Sequence, residues 1–156
     1  MYQQLDEWMT SESLAAEPGA SYAVDSAAYN LLTHRIIGGA MQVHALPGSG
    51  FPEVIYQRAL AIELAREEVV AQREVETPIY FRGQQIGTRR VDFLAAGPAP
   101  DQPILVELKA AAELANAHLA QVINYLEAYR LHVGVLLNFG ASSLYYRRFT
   151  KTSFAS

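Results

Sequence analysis

The spacing of apolar residues predicts two helices in the first half of the chain. Between Tyr29 and His44, apolar side chains recur every three or four residues, which is the period of one helix face. Pro52 suits the first position of a second helix, which we expect to run to about Glu68. Residues 1–28 show no such period, and we predict an N-terminal arm there that is ordered only in part.

Strand patterns dominate the second half of the chain. The segments are PIYF, IGTRRVDFLA, ILVELKA, VGVLLNFG and LYYRRFT. The first two are separated by RGQQ and predict a β-hairpin, whereas the third and fourth are apolar enough to be buried on both faces. An amphipathic pattern from about Ala112 to Arg130 predicts a helix between the third and fourth strands. The predicted order α, α, β, β, β, α, β, β describes one α/β domain over residues 29–156.

Composition narrows the classes of function. The chain has 156 residues, of which 51% are hydrophobic and 18% charged, as expected for one globular domain. It has no cysteine, which excludes disulfides, thiolate zinc sites and a cysteine nucleophile. A net charge of −4 argues against bulk binding to nucleic acid, because nonspecific affinity depends on Lys and Arg at phosphates. Such binding would therefore be local or assisted by a metal.

The first residues of the chain carry no sign of export. They are acidic and lack the basic flank and apolar run of a signal peptide. No later segment reaches about 18 uninterrupted apolar residues. We therefore expect a cytoplasmic protein with no membrane partner.

Two charges lie inside the third predicted strand. Side chains alternate along a strand, so Glu107 and Lys109 share one face at a separation of roughly 6.5 to 7 Å. A desolvated charge is costly unless it is paired or bound to a metal. Either the two charged side chains pair with each other at a solvent-exposed edge of the sheet, or they belong to a functional site. Asp92, between Val91 and Phe93 in the preceding strand, is a second acid that could meet Glu107.

Strand acids next to a lysine suit metal-assisted hydrolysis of a phosphodiester. That reaction needs a nucleophilic water and neutralisation of charge on the phosphate, and a hard cation held by carboxylates supplies both. Asp92 and Glu107 have the chemistry to hold such a cation, and Lys109 could stabilise charge on the phosphate. On the third predicted helix, Gln121 and Tyr125 stack at i, i+4, where they either face a cleft or serve in capping and packing.

Several segments, in their order along the chain, resemble a known family. They are IIGGAMQVHALPGSGFPEVIYQRALAIEL, the acid of RRVDFL, ILVELKA, QVINYLEAY and VGVLLNFG. Together they resemble the GxxExxY family, a branch of the PD-(D/E)XK nuclease-like superfamily, and Gly50, Glu53 and Tyr56 stand at its naming motif. The resemblance covers about residues 31–148. It departs from the superfamily at Val91, which stands where a proline precedes the acid, and in its longer N-terminal arm.

The resemblance implies a restriction-endonuclease-like αβββαβ core, with a mixed central sheet flanked by helices, and hydrolysis of nucleic acid with Mg²⁺ or Mn²⁺. The implied catalytic residues are Asp92, Glu107, Lys109, Glu53, Gln121 and Tyr125, with Asp92, Glu107 and Glu53 as metal ligands. DNA is implied before RNA as the partner, and a homodimer is left open. Two residues also have plainer interpretations, Glu53 as an acid that complements the helix dipole and Tyr56 as a core residue.

Substrate contacts are expected from the arginines that precede Asp92. Arg89 and Arg90 carry guanidinium groups, which suit phosphate. Strict alternation along the strand would place Arg90 on the face of Asp92, so Arg90 is favoured over Arg89. Tyr56 completes the predicted set of substrate-binding residues.

Two other functions fit the same residues. A nuclease-fold module without turnover would bind nucleic acid or a protein partner, and the negative net charge favours it. A metal-dependent hydrolase of a smaller phosphate ester is the third option. The loop from Gly48 to Gly50 lacks the lysine of a P-loop, and no GxSxG motif occurs, so neither nucleotide-loop nor serine-hydrolase chemistry is indicated.

Overall fold

The structure, a computed structural model, describes residues 26–46, 50–97 and 102–155. The predicted N-terminal arm lies outside the described residues up to residue 25. The helices and strands are α1 (Ala27–His44), α2 (Glu53–Arg66), β1 (Val70–Phe81), β2 (Gln84–Ala96), β3 (Ile104–Lys109), α3 (Asn116–Tyr129), β4 (Val133–Asn138) and β5 (Tyr145–Thr150). Their order is the one predicted from the sequence. No helix in the described part of the chain is long and apolar enough to cross a membrane.

Local sequence explains where several elements begin. Ser26 caps α1, because its hydroxyl accepts the Tyr29 N–H at 3.3 Å. At the start of α3, His118 Nδ1 accepts the Ala115 N–H at 3.2 Å, and the helix begins at Asn116 rather than at about Ala112 as predicted. The strand β1 begins at Val70, well before the predicted PIYF segment. The sequence did not indicate this earlier start, because most residues of β1 are exposed and show no apolar run.

The five strands form one mixed sheet in the order β1-β2-β3-β4-β5. Among these described strands, only β3 and β4 pair in parallel, and the other three pairings are antiparallel. A parallel pair needs a crossover connection, which α3 provides. Both strands of this pair are buried almost throughout, as their continuous apolar runs predicted. The observed α/β architecture confirms the restriction-endonuclease-like fold expected from the sequence.

The helices cover the two faces of the sheet. One apolar cluster joins α1 and α2 to residues that include Phe93, Ile104, Val106, Leu108, Val135 and Leu137. The other joins α3 to Val75, Val91, Leu94, Leu105, Leu136 and Phe149. Gly134 allows α3 to approach β4, since a Cβ there would already lie 3.1 Å from Leu126 Cδ2 and 3.2 Å from Val122 Cγ1.

The β2 strand changes the direction of its side chains at Asp92. Val91 packs in the α3 cluster, whereas Phe93 packs in the cluster of α1 and α2, although a regular strand would place both on one face. On the neighbouring strand, Glu74 lies opposite this point with a φ of 52°. The hairpin is therefore irregular at the position of the acid, and its outer part separates from β3.

Candidate active site

The two strand acids meet where β2 and β3 separate. The antiparallel ladder ends at the pair Phe93 and Val106, so Asp92 and Glu107 occupy the next position on each strand. The Leu108 N–H donates to Asp92 Oδ2 at 2.8 Å, which extends the hydrogen bonding across the gap through a side chain. The end of the ladder thus holds the two carboxyl groups together.

Glu107 is buried, with 6% of the residue exposed. Its Oε2 atom is buried and has no hydrogen-bond partner among the described residues. Burial raises the pKa of the Glu107 carboxyl to about 9, the negative charge of Asp92 adds to the rise, and the charge of Lys109 opposes it. Without a further cation, this carboxyl is therefore protonated at neutral pH.

Gln57, a residue of α2, holds the Asp92 carboxylate in place. Its Nε2 donates to Asp92 Oδ1 at 2.9 Å, while its Oε1 accepts from Arg73 at 2.8 Å. Gln57 is 4% exposed and lies on the helix stripe of Leu60 and Leu64. Sequence reasoning missed this residue, although a polar side chain on an apolar stripe was the available signal.

Lys109 lies at the end of β3, on the same strand face as Glu107. In the parallel register it faces Asn138 of β4, a buried residue. The Asn138 Oδ1 accepts the Ala111 N–H at 3.0 Å, and its Nδ2 donates to the Ala111 carbonyl at 2.9 Å. Asn138 therefore fixes the backbone just beyond the lysine.

Gly140 allows the chain after β4 to lie directly on that backbone. A Cβ at this position would be 2.4 Å from the Ala111 nitrogen and 2.5 Å from its oxygen. The Gly140 N–H also donates to Asn138 Oδ1 at 3.2 Å. Neither Asn138 nor Gly140 was singled out from the sequence, where the only signal was an asparagine at the end of an apolar strand.

The polar flank of α3 borders the acid pair. Gln121 Nε2 donates to the Tyr125 hydroxyl at 3.0 Å, as their i, i+4 spacing allows. Burial raises the pKa of Tyr125, and the negative charge of Glu107 is the next cause of the rise. Gln121 and Tyr125 thus lie on the side of α3 that faces Glu107, and not on a remote surface.

The two arginines before Asp92 lie on opposite sides of the hairpin. The Arg89 guanidinium lies 5.9 Å from the Tyr125 ring centre and donates to the Asn124 carbonyl at 3.3 Å. Arg90 instead forms an exposed ion pair with Glu76, its cross-strand neighbour. The expectation that Arg90 shares the face of Asp92 assumed strict alternation, which the irregularity at Asp92 interrupts. Arg89 is the arginine on the side of the site.

Two residues of the GxxExxY motif are not gathered at the acid pair. Glu53 is exposed in the first turn of α2, and the described residues contain no group of three or more His, Asp or Glu side chains that could hold a metal. Tyr56 is buried and stacks on Phe139, with ring centres 4.9 Å apart and planes at 8°. The structure therefore brings together two acids rather than three, and it places Tyr56 in the core rather than at a substrate surface.

The acid pair fits a divalent cation of the Mg²⁺ type. Such ions are held by one or two carboxylates and keep several water ligands, so a third acid is not required. The buried Oε2 of Glu107 lacks any other described partner. Asp92 uses both oxygens in hydrogen bonds, but each carboxylate oxygen has two lone pairs. Asp92 and Glu107 could therefore both bind the ion.

Known proteins resemble this chain at the level of family and fold. No curated protein matches it. A solved structure described as the crystal structure of SSO0001 aligns with 98% of this chain and 79% of its own, with a TM-score of 0.52 and 15% identity, so this similarity concerns the fold alone. Residues 30–149 match the PD-(D/E)XK nuclease superfamily. Because that match covers most of the sequence, from α1 to β5, the chain belongs to the PD-(D/E)XK nuclease superfamily.

Proposed function

We propose that this protein is a divalent-metal-dependent nuclease that hydrolyses phosphodiester bonds, with Mg²⁺ or Mn²⁺ as the metal. The observation that carries the proposal is the buried carboxylate oxygen of Glu107 beside Asp92, which has no hydrogen-bond partner in the described part of the chain, where β2 and β3 separate. Superfamily membership supports nuclease chemistry. DNA is proposed before RNA by analogy with the superfamily alone.

Each residue of the proposed site would have a distinct role in hydrolysis. Asp92 and Glu107 would hold the cation, which when bound supplies charge neutralisation and an activated water. Gln57 and the Leu108 N–H orient the Asp92 carboxylate before the cation arrives. The Lys109 ammonium, on the strand face of Glu107, would stabilise negative charge that develops on the phosphate.

The α3 side of the site would orient the phosphate. The Tyr125 hydroxyl accepts a hydrogen bond from Gln121, so its own proton can be donated to a phosphate oxygen. A tyrosine hydroxyl is protonated at neutral pH, and burial raises the pKa of Tyr125 further. Arg89, next to the Tyr125 ring, would bind a neighbouring phosphate.

We also propose that the chain belongs to the GxxExxY branch of the superfamily. Gly50, Glu53 and Tyr56 have the spacing of the motif. Gly50 has a φ of 80°, which favours glycine, and Tyr56 anchors α2 by stacking on Phe139. In this chain the motif would support the helix that delivers Gln57 to the site, rather than supply a metal ligand.

A cleavage assay with single-stranded and double-stranded DNA and RNA, with Mn²⁺ or with a chelator, tests the proposal. We expect metal-dependent cleavage that Lys109→Ala slows by about 10² or more, the scale of losing a preorganised charge at the reacting group. Lys151→Ala, which removes a lysine in an ion pair with Glu127, is the matched control and should keep the wild-type rate. A wild-type protein that cleaves none of the four substrates with metal would contradict the proposal.

A further inference from the structure

The β1–β2 hairpin extends beyond the sheet as a two-stranded ribbon. Of the β2 residues, only Phe93–Ala95 pair with β3, so among the described residues the segment 76–90 pairs only within the hairpin. Arg82 and Gly83 form its two-residue turn, with φ values of 50° and 77°. The ribbon, defined here as residues 76–90, therefore presents two surfaces to solvent.

One surface of the ribbon continues from the candidate active site. Residues paired across the strands share a face, and Val75 with Val91 faces α3. Along β1, alternation places Thr77, Ile79 and Phe81 on this face, with Arg89 paired to Thr77 and Gly87 paired to Ile79. The register shifts between Ile79 and Tyr80, and beyond this irregularity Phe81 pairs with Gln84. We call these six residues the site-facing side of the ribbon. The opposite side carries the Glu76–Arg90 ion pair and Tyr80 with Gln85.

The middle of the site-facing side, at Gly87, is left uncovered by the described residues, and it lies between the Arg89 guanidinium and the Phe81 ring. A Cβ at Gly87 would have no neighbour within 4 Å, so no described side chain covers that position. Phe81 is 60% exposed at the far end, and the Arg82 guanidinium lies 5.5 Å from its ring centre. From Arg89 to the pair of Phe81 with Gln84 the strand advances roughly 15 Å, enough for about four stacked nucleotides.

Charge distinguishes this ribbon from the rest of the molecule. Residues 76–90 contain three arginines and one glutamate, a net charge of +2 in a chain whose net charge is −4. Arg90 pairs with Glu76 on the opposite side, so the excess positive charge lies at Arg82 and Arg89. A negatively charged ligand is therefore attracted to the surface that leads to the acid pair.

The chemistry favours an unpaired strand over a duplex. Strong binding to duplex backbones involves about 6–10 phosphate contacts, and the ribbon offers two cations, Arg89 on this side and Arg82 in the turn. An exposed phenylalanine stacks only on a base that is not already paired and stacked in a duplex. Loss of one such stack weakens binding by about fivefold to 100-fold, which is more than one surface cation contributes.

We propose that the site-facing side of the ribbon binds an unpaired strand of nucleic acid. A base stacks on Phe81, and backbone phosphates lie at Arg82 and Arg89 as the strand runs toward Asp92 and Glu107. The identification of this strand as the substrate rests on the proposed nuclease function, but its binding does not.

Fluorescence anisotropy without divalent metal tests the proposal. The probes are an oligothymidine strand of about 20 nucleotides and a duplex of the same length, which exceed the span of the ribbon. Phe81→Ala should weaken binding of the single strand by at least about fivefold. Tyr80→Ala is the matched control, because Tyr80 is 62% exposed on the opposite side, and its affinity should stay within about twofold of wild type. Thermal melts of both variants establish that each remains folded.

Three results would overturn the proposal. They are equal effects of the two substitutions, wild-type binding that favours the duplex, and a wild-type dimer that Phe81→Ala converts to a monomer. Hydrolysis of a small phosphodiester, bis-p-nitrophenyl phosphate, by wild type with Mn²⁺ tests the catalytic proposal separately. Hydrolysis of that compound together with equal effects of the two substitutions would remove the strand-binding proposal and leave the nuclease.

Discussion

The Gln57 amide links two charged residues of the site, and its orientation follows from their chemistry. A guanidinium has only donors, so the amide oxygen faces Arg73 and the amide nitrogen faces Asp92. The carboxylate thus receives a donor from α2 in addition to the one from Leu108. Gln57 is a positioning residue, since it acts on the site through Asp92.

Replacing Gln57 with leucine should lower the free energy of unfolding by about 1–3 kcal/mol, because two hydrogen-bonded groups lose their partner. Gln72→Leu is the matched control, since the buried Gln72 Oε1 has no hydrogen-bond partner among the described residues. Urea unfolding of both variants measures the difference. Equal losses would show that the hydrogen bonds of Gln57 contribute nothing specific.

The Glu107 carboxyl makes stability depend on pH. Its pKa is about 9 in the folded protein and about 4.3 in an unfolded chain, so the folded state binds the extra proton between these values. The stability that this proton contributes is therefore fully present below about pH 4.3 and is lost as pH rises toward 9. In metal-free buffer, Glu107→Gln should flatten this dependence and be more stable than wild type at pH 8. Urea unfolding at several pH values checks the sign, and a wild-type curve that rises over this range would contradict it.

At the scale of elements, the end of β3 depends on a contact between two backbone segments. Gly140 lies against Ala111, just beyond Lys109, and the Asn138 amide accepts the Ala111 N–H and donates to the Ala111 carbonyl. Gly140 and Asn138, which have no proposed role in catalysis, thus fix the backbone next to Lys109.

Gly140→Ala should therefore destabilise the fold by about 1–3 kcal/mol, because its Cβ would overlap Ala111 backbone atoms. Gly38→Ala is the control, since a Cβ at this α1 position meets nothing within 4 Å and alanine is the better helix former. Thermal melts should show a lower melting temperature for the first variant and an equal or higher one for the second. The same sign for both would refute the contact.

The order of the elements was predictable because most of their apolar periods are local in sequence, whereas the start of β1 and the candidate site were predictable only in part. Asp92, Glu107 and Lys109 were singled out as candidates because charges inside apolar strands are unusual. The ion pair of Arg90 with Glu76 was not predicted, because strand alternation breaks at Asp92. The irregularity there involves Glu74 on the neighbouring strand. Gln57 was missed because its partners come from two other elements.

At the scale of the whole molecule, the proposed cation site at the acid pair would couple metal binding to folding. The fold buries Glu107 beside Asp92, an arrangement that opposes the charged state in the absence of metal. A cation that binds only the folded chain stabilises it by RT ln(1 + [L]/Kd), about 2.7 kcal/mol at one hundred times Kd. For a chain of this size, 1 kcal/mol corresponds to a shift in melting temperature of about 2–4 °C.

The proposed binding of a divalent cation by Asp92 and Glu107 is tested by the melting temperatures of wild type and Glu107→Gln, each measured with and without Mn²⁺. At saturating Mn²⁺ the wild-type protein should melt about 5–10 °C higher than in chelator. Glu107→Gln has lost one charged ligand, so its shift should be less than half as large. No shift in wild type, or the same shift in both proteins, would contradict the claim.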